Sequence, residues 1–213
     1  DERPLNVVFF LVDDLGWTDV SYNGSDFYET QNIDRLSLNS MLFYNAYASS
    51  SVCSPTRAAI MTGKHPARVN ITDWIPGLEE QPHYNNKNKP LIGPQDLNEL
   101  PLSEITIAEV LKKNGYKTFY SGKWHLGSEG HYPEDQGFDI NVGGFEKGSP
   151  MGGYYTPYKN PKLEDGPEGE YLTDRLTQET IDFIDSRDES KPFAAFLAFY
   201  NVHTPIQENK EFY

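Results

Sequence analysis

Four short stretches of the chain carry side chains able to do chemistry, and each lies after an apolar run or at the start of a helical pattern. Asp13 and Asp14 follow the run Leu5 to Val12. Adjacent carboxylates repel one another unless a cation or hydrogen-bond donors compensate, and hard oxygen donors suit Ca²⁺ or Mg²⁺. Cys53, the one cysteine, opens the string Cys53-Ser54-Pro55-Thr56-Arg57. At a helix start, free backbone N–H groups and the helix dipole favour an anion, and Arg57 one turn on adds a fixed positive charge. Lys123 and His125 lie two apart after another run. An ammonium can neutralise an oxyanion, an imidazole can move a proton near neutral pH, and on an extended segment the two project to one side. His203 follows the last run. Each group also has a plainer reading. A lone Cys is often a small buried hydrophobe, an Asp can close an Asx turn, a Lys-x-His pair can be a solvated surface pair, and a His after a strand can cap a loop.

The elements must deliver these groups to one place. Leu5 to Val12 is apolar almost throughout and rich in β-branched and aromatic residues, the pattern of a central strand buried on both faces. Carboxylates at its carboxyl end lie where open α/β sheets place ligands. Around Cys53, Pro55 suits a first helical turn, Ala58 to Met61 are helix formers and Gly63 is a stop. Ser103 to Asn114 predicts a helix with Ser103 and Thr106 as caps and Ile105, Ile107, Ala108 and Leu111 inward. Asn114-Gly115 ends it, and Tyr116 to Ser121 then predicts a strand that delivers Lys123 and His125. Tyr171 to Ser186 predicts a helix with Leu172, Leu176, Ile184 and either Thr180 or Ile181 inward. Pro192 to Tyr200 predicts a second buried strand, which delivers His203. A helix following strand and strand following helix is the pattern of a parallel sheet. Thr30 to Asn39 predicts a helix with Ile33 and Leu36 inward, and Met41 to Ala48 a strand. Residues 73–101 and 143–169 are rich in Pro, Asn, Gly and Tyr and predict long loops of the kind that carry function. Trp74, His83 and Tyr84 in the first loop and Tyr154 in the second are candidates to line a substrate groove.

Length and charge bound the rest. A chain of 213 residues allows one domain with a sizeable core or two small ones. Eighteen Lys and Arg against 32 Asp and Glu give a net charge of −14, which argues against a nucleic-acid partner. An anionic ester remains compatible if the positive charge is local. One cysteine excludes an intrachain disulfide and leaves the redox compartment open. The longest apolar run is strand-length, so no membrane span is expected. The chain starts at Asp1 rather than Met, which fits a trimmed or processed leader.

Two strings together are more telling than composition. Cys-x-Pro-x-Arg followed by Ala58-Ala59-Ile60-Met61-Thr62-Gly63 resembles the signature of the type I sulfatases, in which the Cys is oxidised to Cα-formylglycine. Gly115-Tyr116-x-Thr118-x-x-x-Gly122-Lys123-Trp124-His125-Leu126-Gly127 resembles the second sulfatase signature, and Gly137-Phe138-Asp139 also recurs in that family. With the Asp-Asp strand ahead of both, the chain is identified as resembling that family. One local departure is Lys64, where Arg is commoner.

The resemblance implies an alkaline-phosphatase-like α/β/α sandwich with a mostly parallel sheet. It implies one Ca²⁺ held by Asp13, Asp14 and the modified Cys53, and catalytic roles for Cys53, Arg57, Lys123, His125 and His203. The substrate implied is a sulfate ester, and the aromatic loops favour a sulfated carbohydrate. Formylglycine implies a maturation partner, either a formylglycine-generating or an anaerobic sulfatase-maturating enzyme. Family members are exported, which implies a periplasmic, extracellular or lysosomal place. In those members a later strand supplies an Asp-Asn pair and a further Lys to the site. This chain reaches Tyr213 before any such segment, so residues 1–213 are expected to be the N-terminal part of the catalytic domain. Rival readings are a phosphonate or phosphodiester hydrolase of the same superfamily, and a non-catalytic glycan-binding relative with an unmodified Cys53.

Overall fold

Parallel pairing of the apolar runs builds the sheet that carries the site. In the computed structural model, which describes residues 4–75, 96–209 and 211, four strands appear. They are β1 (Val7–Leu11), β2 (Lys117–Gly122), β3 (Ile140–Val142) and β4 (Phe193–Ala198), in the spatial order β1-β4-β2-β3. All neighbours run parallel, with Phe9 opposite Phe196 and Tyr120 opposite Phe196 from the other side. The strand ends that bear Asp13, Lys123 and His203 therefore share one edge, the carboxyl edge where such sheets bind ligands.

Helices cover the two faces. On one face lie α2 (Cys53–Thr62), α3 (Pro66–Val69) and α4 (Ile107–Lys113). Their Ala58, Met61, Val69 and Ala108 form a core with Tyr120, Ala194, Phe196 and Ala198 of the sheet. On the other face α5 (Leu172–Ser186) packs Leu172 and Leu176 against Leu197, and Phe183 stacks on Phe119 at 4.5 Å between ring centroids. Two further elements, α1 (Gln31–Ser37) and the 3₁₀ turn Ser21–Asn23, lie outside these cores, and a second 3₁₀ turn, Pro133–Gln136, leads to β3. The arrangement is thus the expected three layers.

Local expectations were met where packing was available. Thr106 caps α4 in a reciprocal capping box with Glu109. Gly63 ends α2 at φ 66°. Gly137-Phe138-Asp139 is structural: Phe138 lies in the core, and the Asp139 carboxylate accepts the Thr118 N–H at 3.0 Å and pairs with Lys112. At Gly122, a Cβ would stand 2.0 Å from the Ala198 carbonyl oxygen, so the close approach of β2 to β4 above the site requires a residue without one.

Several expectations fail for a common reason. β1 was expected to be buried on both faces, but it is the edge strand among the described residues and alternates, with Val8 and Phe10 exposed. Met41 to Ala48 forms no strand. Ile33 and Leu36 of α1 point outward, as do Ile105 and Ile107 near α4, where Ala108 is the buried residue. Apolar side chains turn inward only where something packs over them, and these segments have no described neighbour on that side. In α5 the buried position is Thr180, with Ile181 exposed.

Candidate functional site

The geometry around Cys53 begins with its backbone. Cys53 is the first residue of α2, and the extended Val52 before it gives no side-chain cap, so the first-turn N–H groups stay available. Thr56 ties the preceding loop down through Ser50, donating to its carbonyl at 2.9 Å and accepting its N–H at 3.1 Å. Cys53 Sγ then lies 3.1 Å from His125 Nδ1.

Lys123 and His125 reach the site by a turn rather than by strand alternation. β2 ends at Gly122, the Lys123 N–H bonds the Ala198 carbonyl, and His125 takes φ 57°. The two side chains consequently diverge. Lys123 is fully buried and bonds Asp13 Oδ2, while His125 faces Cys53. Arg57, also buried, donates to Asp13 Oδ1 at 2.9 Å and to the Lys123 carbonyl at 2.5 Å. Its Nε finds no partner among the described residues.

The site is therefore layered. Behind lie Asp13, Arg57 and Lys123, a buried triad of one carboxylate and two cations. In front lies a cavity of about 710 Å³, whose walls include Asp14, Cys53, Trp74, His125 and His203. Burial alone would raise the Asp13 carboxyl, but Arg57 and Lys123 outweigh it and hold it below the usual range. Burial and Arg57 lower the Lys123 ammonium, partly offset by Asp13. Burial, then the charge of Lys123, pushes His125 down to about 4, so it is neutral near pH 7 and able to accept a proton. Burial raises the Tyr120 hydroxyl to about 12; it remains a donor, bonding the Lys123 carbonyl at 2.5 Å.

His203 stands where the end of β4 meets the end of β1. The Asp13 N–H bonds the Asn201 carbonyl at 2.8 Å, and the Tyr154 hydroxyl donates to the His203 carbonyl at 2.8 Å. His203 Nδ1 faces the Thr204 carbonyl at 2.8 Å, so Nδ1 carries a hydrogen and Nε2 is the nitrogen left to a ligand; it lies 4.0 Å from Asp14 Oδ2. Among the described residues, Asp13, Asp14 and His203 form a group of donors, all within 4.8 Å, that suits a cation. Cys53 is not one of that group. The two carboxylates are hard donors of the type Ca²⁺ takes, and they fit part of a shell that needs six to eight oxygens. Asp13 already has both oxygens engaged by Arg57 and Lys123.

Of the residues put forward as substrate contacts, Trp74 lines the cavity. Tyr154 is buried behind the His203 loop rather than open to a ligand, because its hydroxyl is used on the His203 carbonyl. His83 and Tyr84 lie outside the described residues. Lys64 pairs with Glu104 and does not line the cavity. Sequence reasoning missed Tyr120, whose hydroxyl supports the Lys123 carbonyl. It also missed Asn98, Glu99 and Glu146 on the cavity wall, which Lys147 of the 143–169 loop joins. A Tyr beside Phe119 in a strand expected to be buried was the available signal, since a buried hydroxyl must find a partner.

The Sulfatase family model matches residues 5–213. N-acetylgalactosamine-6-sulfatase of Mus musculus is 31% identical over 99% of this chain, and arylsulfatase G of Homo sapiens is 35% identical over 96% of it. The chain spans 42% of the length of each. Among solved structures, Ps i-CgsB in complex with k-i-k-neocarrahexaose shares 29% identity and a TM-score of 0.75, over 99% of this chain and 48% of that one. A protein held with its substrate D-glucosamine-2-N,6-O-disulfate shares 28% identity and a TM-score of 0.70, over 95% of this chain and 35% of that one. The parallel sheet and these neighbours give the chain the alkaline-phosphatase-like α/β fold. Among the described residues no helix is long and apolar enough to cross a membrane.

Proposed function

This chain belongs to the Sulfatase family, and from that premise we propose that it is the N-terminal part of a catalytic domain that hydrolyses a sulfate ester on a carbohydrate. The observation that carries this reading is the meeting of Cys53, His125, Asp14 and His203 on one cavity wall, with two buried cations behind. That arrangement receives an anion in a chain whose net charge is −14.

In this reading Cys53 is converted by a maturation enzyme to Cα-formylglycine, whose hydrate offers one hydroxyl to attack sulfur and a second to expel the sulfate afterwards. Asp13 and Asp14 would hold Ca²⁺, which would neutralise sulfate oxygens, and the rest of a shell of six to eight oxygens would be supplied by groups other than this pair. Arg57 and Lys123 offset charge near residue 53. His203, with Lys123, assists the leaving alcohol: Nδ1 is tied to the Thr204 carbonyl, so a proton given to the leaving oxygen would pass from Nε2, on the cavity side. His125, neutral and 3.1 Å from residue 53, takes the proton when the sulfate is released. Trp74 offers a flat apolar face to a sugar ring. The protein is exported, as the resemblance implies.

Two measurements test this on the full-length protein from its native host. Intact mass of the peptide carrying Cys53 should show the aldehyde; an unmodified thiol supports a glycan-binding relative instead. Defined sulfated saccharides assayed beside phosphate monoesters and diesters should show sulfate release. Cleavage of the phosphate esters alone would overturn the reading in favour of the phosphohydrolase branch.

A further inference from the structure

The His125 imidazole is held by groups that the proposed reaction does not use. Its Nε2 faces the Ile75 carbonyl. A carbonyl has no hydrogen to give, so Nε2 carries the proton and Nδ1 presents a lone pair. Nδ1 is the nitrogen directed at residue 53, where Cys53 Sγ stands in the place of the hydrate oxygen.

The Ile75 carbonyl is itself positioned. Ser54, fully buried beside Cys53, accepts the Ile75 N–H at 3.0 Å through its Oγ and donates the same hydroxyl to the His125 carbonyl at 3.0 Å. One hydroxyl thus ties together the helix start, the residue that fixes the ring and the backbone of the ring's own residue. Gly148 also packs closely on the imidazole. A Cβ at 148 would stand 2.3 Å from His125 Cε1 and 2.5 Å from Nδ1. The ring cannot yield freely, because both nitrogens are engaged and the His125 backbone sits at φ 57°. The position therefore tolerates no side chain while the ring stays where it is.

We propose that Ser54 and Gly148 are positioning residues that hold His125 as the Nε2–H tautomer with Nδ1 aimed at residue 53. The geometric part stands on these contacts alone; its consequence for turnover rests on the sulfatase reading. A base displaced by a fraction of an ångström loses rate rather than affinity, since binding of the ester does not depend on which nitrogen is bare.

The test uses full-length protein labelled with ¹⁵N-histidine, and reads the His125 tautomer from two-bond ¹H–¹⁵N correlations. The expected wild-type pattern is protonated Nε2 and bare Nδ1. Ser54→Ala and Gly148→Ala should each turn this into a mixture, and lower kcat for sulfate release about 10- to 100-fold with KM within about twofold. Ser54→Thr, which keeps the hydroxyl, should restore both readings towards wild type. A wild-type ring protonated on Nδ1 overturns the proposal, whether or not either variant folds. So does an unchanged spectrum and kcat in both variants. If the tautomer shifts as expected but no sulfate ester is cleaved by wild type, the positioning stands and the sulfatase reading falls.

Discussion

Arg57 is the residue on which the charge balance of the site turns. Its planar fork reaches Asp13 with one nitrogen and the Lys123 carbonyl with the other, a geometry that a Lys at that position cannot reproduce. Removing it leaves the Asp13–Lys123 pair in place but takes the charged donor away from both the Asp13 carboxylate and the Lys123 carbonyl, and a buried acceptor left without such a donor costs about 1–3 kcal/mol. Arg57→Ala is therefore expected to lower the stability of the full-length protein by about that amount, measured as the shift in denaturation midpoint at unchanged slope. Cys53→Ala should fold normally, because the thiol is only partly buried. It should nevertheless cut sulfate release by about 10⁴-fold or more, the scale expected when a covalent nucleophile is lost.

At the scale of the elements, Asp139 joins the three that form the frame on one side of the site. Its carboxylate takes the Thr118 N–H at the start of β2, pairs with Lys112 near the end of α4, and precedes β3. Burial raises this carboxyl, but Lys112, the Thr118 N–H and Lys117 outweigh it and hold it below the ordinary value of 3.8. A lowered folded value means its contribution is fully present above that pH and is lost as the pH falls below it. Asp139→Ala should cost about 1–3 kcal/mol at pH 7, the penalty for a hydrogen bond to a charged group, and less at a pH below 3.8, where the carboxyl begins to protonate. Denaturant titrations at the two pH values measure the difference.

At the scale of the whole molecule, apolar surface marks what the described residues leave uncovered. Phe10 is 58% exposed on the outer face of β1, and Leu38 and Tyr47 are 83% and 86% exposed in the stretch between β1 and α2. Isolated apolar side chains on a surface are ordinary, while an unpaired sheet edge is a place where further chain can add. With the chain spanning 42% of its relatives, the reading of residues 1–213 as part of a larger domain has these faces docking the remainder. The 213-residue polypeptide alone should then self-associate, bind Ca²⁺ weakly and release no sulfate. A monodisperse and active preparation of it would contradict that reading. In the full-length protein, stripping divalent cations with a chelator should abolish turnover and added Ca²⁺ should restore it.

The chemistry-bearing residues were legible in the linear sequence because they stand beside strong local signals. Asp13 and Asp14 end an apolar run, Cys53 precedes Pro55 in a helix start, and Lys123 follows a strand that follows a capped helix. Residue type, strand period and helix caps are properties of a few neighbouring positions, so they survive being read one stretch at a time. What tertiary structure alone decided was how these groups divide the work. Lys123 and His125 were expected on one side of an extended segment. The turn after Gly122 instead sends the first to Asp13 in the interior and the second to Cys53 at the cavity. The outward turn of Ile33, Leu36, Phe10 and Met41 was equally out of reach, because burial depends on which other part of the chain arrives to cover a face. Ser54 and Gly148 belong to the same category: their contacts to His125 span 71 and 23 positions, and no local pattern encodes a distance in space.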